Sequence, residues 1–259
     1  MLMDQRTRTV SLFVCIAFLF CMGVKLRPTL YELASSNGKN PASYLAEKAA
    51  SHRLILLGTR HDNKQIHDLI FDILPGLVKE SGITTLFVEI PSHQQGVIER
   101  FRKGLCPASD IKIHEIIDSH TYMKTIARAQ DLGMDIIAID NDDNGQITRD
   151  QWMASRVFDY LALHPGSKGL VIVGNCHVFK NVEWAHDGHP SMADYLQSLK
   201  PFSVVMWPGA IERGLPVALD IDYHTFLGLK DPTLTCMNIL PQTCLATSAD
   251  GVILLPDRL

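Results

Sequence analysis

Leu54-Ile55-Leu56-Leu57-Gly58-Thr59-Arg60-His61 recurs in outline 116 residues later as Leu170-Val171-Ile172-Val173-Gly174-Asn175-Cys176-His177. Each stretch is a short apolar run that ends in Gly-x-x-His. Consecutive Leu, Ile and Val residues bounded by Gly read as a strand buried on both faces. The Gly is expected to let the backbone turn sharply at the strand end. Each His then stands just beyond the carboxyl end of a strand, where an open α/β sheet presents its chemistry.

The flanking sequence extends this pattern. Asn40-Pro41 opens a short helix over Ala42–Ser51, with Pro at the first helical position. Residues 28–40 before it read as a polar connector. Ile66, Leu69, Ile70, Ile73, Leu77 and Val78 recur at helical spacing, giving an amphipathic helix kinked near Pro75 and stopped at Gly82. Further strands are expected at Thr85–Ile90, Met134–Asp140, Gly169–Val173 and Phe202–Trp207. Helices are expected from Ile113 to Leu132, over Arg149–Leu163 and over Ser191–Leu199. Strand and helix alternating at this spacing predict an α/β fold, a largely parallel sheet with helices on both faces. The rhythm fades after residue 207. An irregular C-terminal cap or an added edge strand is expected over 208–259, with a late apolar run at Val252–Leu255.

Composition is that of a globular domain, with 46% hydrophobic and 20% charged residues over 259 positions. A net charge of −4 leaves no electrostatic footprint for nucleic acid. The N-terminus is different. Arg6 and Arg8 precede Val10–Val24, an uninterrupted apolar run of 15 residues. This run matches a signal-peptide core and is short for a membrane span. Residues 1–27 are therefore read as a signal peptide or membrane anchor, 28–53 as connector and short helix, 54–207 as the α/β domain and 208–259 as an extension packed on it. The domain is expected to be exported, periplasmic or secreted, touching a membrane only through the N-terminal segment. In an oxidising compartment Cys236 and Cys244 are close enough in sequence to close a loop around Pro241. There is no C-x-x-C pair for a zinc ribbon.

The strand ends gather chemistry. Glu89 closes the second strand inside an apolar run, where a carboxylate is costly unless paired or ligated. Asp140 closes the third. His61, Glu89, Asp140 and His177 thus end four strands. Two chemistries suit them. In one, His61, Glu89 and His177 ligate a divalent metal such as zinc, manganese or iron, which activates water for hydrolysis. In the other, a His with a carboxylate partner is the general base and Arg149 steadies developing negative charge. There is no G-x-S-x-G elbow for a Ser nucleophile, and Cys176 carries no mark of activation. Asp140–Ile147 matches the first eight positions of a calcium-binding EF-hand loop but carries Gln151 where a Glu is required. An acidic strand-to-helix turn is the plainer reading.

The paired Gly-x-x-His motifs with a strand-end Glu resemble a superfamily comprising ChaN-type haem-binding uptake proteins, Tiki/TraB metalloproteases and erythromycin esterases. His61-Asp62 with His67 is similar to the first ChaN motif. Arg149-Asp150-x-x-Met153-Ala154-x-x-Val157, His164-Pro165-Gly166 and Asn175-x-His177-Val178 are similar to the second-histidine region of the esterases. Where ChaN and esterase members typically carry Glu after the Gly, this chain has Thr59, as some Tiki-like members do. The resemblance spans about Leu54–Leu199. It implies an α/β cleft lined by both histidines and the glutamate. It also implies a hydrolase of a small ester or peptide, metal-assisted or not, or alternatively a non-catalytic protein that binds haem through a tyrosine. Tyr122, Tyr160, Tyr195 and Tyr223 are the tyrosines considered for that ligand. The loops expected to line the cleft, Ser92–Ser109 and Val178–Pro190, include His186 and His189, read as solvated loop histidines.

Overall fold

A computed structural model describes residues 30–117, 119–141, 147–222, 226 and 244–257. Residues 10–24, Tyr223, Cys236 and most of the Asp140–Ile147 loop, on which several expectations fall, lie outside them. Among the described residues, Cys106, Cys176 and Cys244 form no disulfide. Among the described residues, no helix is long and apolar enough to cross a membrane.

The elements in chain order are α1 (Leu30–Asn37), α2 (Pro41–Ser51), β1 (Leu54–Thr59), α3 (Lys64–Ser81), β2 (Thr85–Pro91), α4 (Gln95–Arg102), α5 (Ser119–Asp131) and β3 (Asp135–Asp140). There follow α6 (Arg149–Leu163), β4 (Gly169–Gly174), α7 (Asn175–Val178), α8 (Met192–Tyr195), β5 (Phe202–Ile211), β6 (Val217–Asp220), α9 (Leu245–Ser248) and β7 (Gly251–Pro256). The seven strands form one sheet in the order β3-β2-β4-β1-β5-β7-β6. Every pairing is parallel except that of β6 with β7.

The apolar runs form the centre of the sheet because both faces are covered. β1 and β4 are buried at every residue. Their alternate side chains divide between two cores, as the period of two requires. Ile55, Leu57, Leu170 and Ile172 pack with α2, α3 and α5, and Leu54, Leu56, Val171 and Val173 pack with α6 and α8.

Local signals set the helix ends. Asn40 caps α2 by accepting from the N–H groups of Ala42 and Ser43, and Thr148 caps α6 through Gln151 N. α3 ends at Gly82, whose φ of +69° is the left-handed conformation glycine favours. It runs as one helix through Pro75.

Four expectations are corrected. Residues 30–37 of the connector are helical. The Ser92–Ser109 loop contains α4. The helix expected from Ile113 begins only at Ser119. The late apolar run is β7, an interior strand between β5 and β6, so the sheet continues through the expected cap.

The glycines of the repeated motif have a different role from the sharp turn expected of them. Gly58 lies within β1, and Gly174 ends β4 with a φ of −58°. What Gly58 provides is space. A Cβ there would stand 2.5 Å from Val178 Cγ2 and 2.6 Å from Asn175 Oδ1. Gly58→Ala is therefore expected to destabilise the fold by about 1–3 kcal/mol through overpacking. Gly76→Ala, in the middle of α3 with no atom within 4 Å of its added Cβ, should stabilise by up to about 1 kcal/mol. Urea melts of the two variants beside wild type check both signs.

Candidate active site

Four consecutive strands of the sheet, β3, β2, β4 and β1, bring Asp140, Glu89, His177 and His61 to one edge. Glu89 is the hub. The β2–β4 ladder stops at the Val88–Ile172 pair, and the β2–β3 register shifts between Val88 and Pro91. Glu89 lies at this irregularity, the kind of site where a strand re-aims a side chain. Its carboxylate substitutes for the interrupted ladder, with Oε2 accepting from Gly174 N at 2.7 Å. Oε1 accepts from Arg149 Nη2 at 2.7 Å. The Glu89 backbone N–H donates to Tyr122 Oη at 3.0 Å.

The two histidines flank this carboxylate. His61 Nε2 is 3.7 Å from Glu89 Oε2, and His177 Nε2 is 3.7 Å from Glu89 Oε1. His61 is held from behind by His67, whose Nε2 lies 3.2 Å from the His61 carbonyl, and His67 packs edge-on against Tyr122. The His61 ring rests on Gly174, where a Cβ would stand only 2.8 Å from Nε2. His177 is held by Asp150, with 2.7 Å between Nδ1 and Oδ1. Asp150 is in turn fixed through Oδ2, which accepts from Met192 N at 2.7 Å and from Trp184 Nε1 at 3.1 Å. This is the arrangement by which a buried carboxylate sets the tautomer and orientation of an imidazole.

The surroundings push the two imidazoles in opposite directions. Burial lowers the pKa of His61, and electrostatic repulsion from the His177, Arg149 and His114 side chains adds to that effect, outweighing the pull of Glu89. Burial also opposes charge on His177. There the Asp150 and Glu89 carboxylates prevail, and the pKa is raised. Glu89 is fully buried, which favours its neutral form. His177, His61, Arg149 and the Gly174 N–H reverse that and hold it below the usual carboxylate range. Burial opposes the Arg149 charge too, but the Asp140 and Glu89 carboxylates lift its pKa further. Arg149 meets Asp140 in a two-pronged pair, Nε to Oδ1 at 2.7 Å and Nη2 to Oδ2 at 2.8 Å. Among the described residues only Nη1 lacks a carboxylate partner, and it lies 3.5 Å from His177 Nε2.

Two cavities meet at Arg149. One of about 390 Å³ is lined by His61, Glu89, His114, Ile116, Asp140 and Arg149, among others. The other, about 250 Å³, is lined by Arg149, Asp150, His177, Trp184, His186 and His189, among others. His61 thus faces one chamber and His177 the other.

His61, Glu89, Arg149 and His177, the residues singled out from sequence, therefore stand together with Asp140. Asp150, Trp184, Tyr122 and His114 are added by the structure. Asp150 sits in the Arg149-Asp150 motif beside the arginine, and that adjacency is its one sequence signal. Trp184 lies in the Val178–Pro190 loop, and His114 and Tyr122 lie in the span expected as the Ile113–Leu132 helix, where no motif ties them to the strand ends. Thr59 is buried and its hydroxyl donates to the Val173 carbonyl, a bond between adjacent strands. Of the tyrosines considered for haem, Tyr122 is buried behind Glu89 and Tyr160 donates to Asp135 Oδ2 at 2.6 Å.

No family model and no curated protein matches this sequence. Solved structures do match in fold. The type III effector HopBA1 is 15% identical, with a TM-score of 0.57 over 91% of this chain and 99% of that one. The erythromycin esterase EreC, solved as its H289N mutant in an open conformation, is 10% identical, with a TM-score of 0.56 over 83% of this chain and 93% of that one. ChaN of Campylobacter jejuni, described with cofacial haem binding, is 12% identical, with a TM-score of 0.52 over 82% and 90%. The chain shares the fold of the ChaN and erythromycin esterase group, and at these identities the likeness extends to the fold alone.

The opposed shifts carry a stability signature. His177, with a raised folded pKa, contributes stability that is fully present below the unfolded imidazole value of about 6.5 and is lost as pH rises through the folded value. His61, with a lowered folded pKa, works the other way, its contribution disappearing as pH falls from about 6.5 through the folded value. Asp150→Asn removes the main support for the His177 charge. Urea melts from about pH 5 to 9 should therefore show the variant losing most stability against wild type at the acid end, with the gap narrowing as pH rises.

Proposed function

We propose that this chain is a hydrolase of an ester or amide bond that works by paired histidine acid–base catalysis, with His61 as base and His177 as acid. The observation that carries the reading is the pair itself. Two imidazoles lie 3.7 Å from the two oxygens of one buried carboxylate, and their environments drive their pKa values apart. Opposed environments at neighbouring titratable groups are how acid and base roles are separated near neutral pH.

In the proposed cycle, neutral His61 takes a proton from water as its oxygen attacks the substrate carbonyl. His177, charged and backed by Asp150, gives its Nε2 proton to the leaving oxygen or nitrogen as the tetrahedral intermediate collapses. The products are a carboxylic acid and an alcohol or amine. The proton held on His61 returns through solvent to His177, restoring the starting state. Glu89 keeps both imidazoles in place and offsets their charge, and Arg149 keeps Glu89 ionised.

The expected metal set of His61, Glu89 and His177 does not suit a divalent cation. Both Glu89 oxygens already accept from Gly174 N and Arg149, and the Arg149 guanidinium is 3.5 Å from the ligating nitrogen of His177. A cation would have to share the site with a fixed positive charge. Among the described residues no group of three or more His, Cys, Asp and Glu side chains is placed to hold a metal ion.

The test uses p-nitrophenyl acetate, p-nitrophenyl butyrate and a neutral p-nitroanilide with chelator-treated protein. Wild type should turn over at least one of them without added metal, and His61→Ala should lower kcat/KM by about 10²- to 10⁴-fold. Turnover that appears only on adding zinc, manganese or iron would replace the metal-free mechanism. A shifted Soret band on haemin titration, with no hydrolysis, would favour the haem-binding alternative. A steric prediction accompanies these. Gly174→Ala should displace the His61 ring and abolish most activity, while circular dichroism shows the sheet intact.

A further inference from the structure

We propose that His114, in the segment between α4 and α5, donates a hydrogen bond to the substrate carbonyl oxygen as negative charge builds there, an assignment that rests on the hydrolase reading above. The chamber that His61 faces contains two carboxylates, Glu89 and Asp140, against one guanidinium. An oxyanion forming there needs a donor directed at it. Arg149 has little to offer, because Nε and Nη2 are taken by Asp140 and Glu89, leaving Nη1 near His177. Glu89 and Asp140 only accept, His61 is committed to water, and Ile116 and Ile117 bring no polar side-chain atom, so His114 and the Asn141 amide at the end of β3 are the lining side chains that carry a further donor.

His114 lines the same chamber with its protonation pattern fixed. Its Nδ1 accepts from the Ile116 N–H at 3.3 Å, so the neutral ring carries its proton on Nε2. The turn is closed behind it by Ile117 N donating to the His114 carbonyl at 3.0 Å. A side-chain acceptor bonding two residues ahead is a local device for orienting a ring, and here the ring it orients lines the chamber that His61 faces. Ile116, which is exposed, and Ile117, which is buried, line the same chamber beside it.

Because His114 also holds a turn, a simple truncation confuses two roles. His114→Asn separates them. Its Oδ1 can still accept the Ile116 N–H in an Asx turn, but the side chain no longer carries a ring Nε2–H. His114→Gln keeps a long amide donor. With an ester that wild type hydrolyses, the pH-independent plateau of kcat should fall by about 10- to 10²-fold in His114→Ala and His114→Asn. His114→Gln should recover part of the loss, and KM should change little. If His114 acted only by raising or lowering the proton affinity of His61, the variants would move the acid limb of the profile and leave its plateau unchanged. If it acted only as a turn residue, His114→Asn would match wild type. Either result overturns the proposal while the hydrolase reading stands. Failure of wild type to hydrolyse any substrate of the panel would overturn that reading, and this assignment with it.

Discussion

A carboxylate in the middle of a buried parallel strand has to be satisfied from every side, because an isolated charge in such a place costs several kcal/mol. Glu89 is satisfied by three separate parts of the chain. Gly174 at the end of β4 supplies a backbone N–H, Arg149 at the start of α6 supplies a guanidinium, and the two histidines lie at ion-pair distance on either side. Each of these attachments fixes an element that carries part of the cluster. The carboxylate therefore ties the N-terminus of α6 to the carboxyl edge of the sheet, and the geometry of both imidazoles depends on it.

This arrangement explains the neighbours of the hub. Arg149 is held in a two-pronged pair by Asp140 while it reaches Glu89, so its position depends on two adjacent strands at once. Asp150, next along α6, turns the opposite way to fix His177. One turn of helix thus supplies the counterion of the hub and the orienting group of His177. The helix cap at Thr148 places both, which links local capping to the spacing of the whole site.

Much of this is legible in the sequence, for a physical reason. Strands buried on both faces need continuous apolar runs, and LILLG, TLFVEI, MDIIAID and GLVIVG stand out against the amphipathic segments between them. A charged residue ending such a run is conspicuous, which is why Glu89, Asp140 and the two motif histidines group together on the sequence pattern alone. What cannot be read there depends on contacts distant in sequence or on weak local signals. α1 and α4 are eight-residue helices whose few apolar side chains make no sustained stripe. β7 looks like a strand, but its insertion between β5 and β6 is a matter of pairing, on which periodicity is silent. Asp150 in the first turn of a helix looks the same as an acid complementing the helix dipole. The spacing of Gly58 and Gly174 suggests turns, whereas the space they leave for Val178 and the His61 ring emerges only when four elements are packed together.

The division of labour between sheet and loops bears on how far a shared fold can inform function. Glu89 sits on a strand, Arg149, Asp150 and His177 on first turns of helices, and His61 in the short turn between β1 and α3. The walls of the two chambers come from connecting segments: residues 114–117 over His61, and residues 184–189, with Trp184 and His186 in edge contact, over His177. Segments of this kind vary most freely within a fold, because few backbone bonds depend on them. Proteins that share the sheet can then differ in whether they bind a cofactor, cleave a bond or do neither, and the difference is decided by what the walls present to the strand ends. In this chain one wall presents a tautomer-fixed imidazole and two isoleucines, and the other an indole whose N–H is already directed at Asp150. The second wall is thereby joined to the Asp150–His177 pair beneath it.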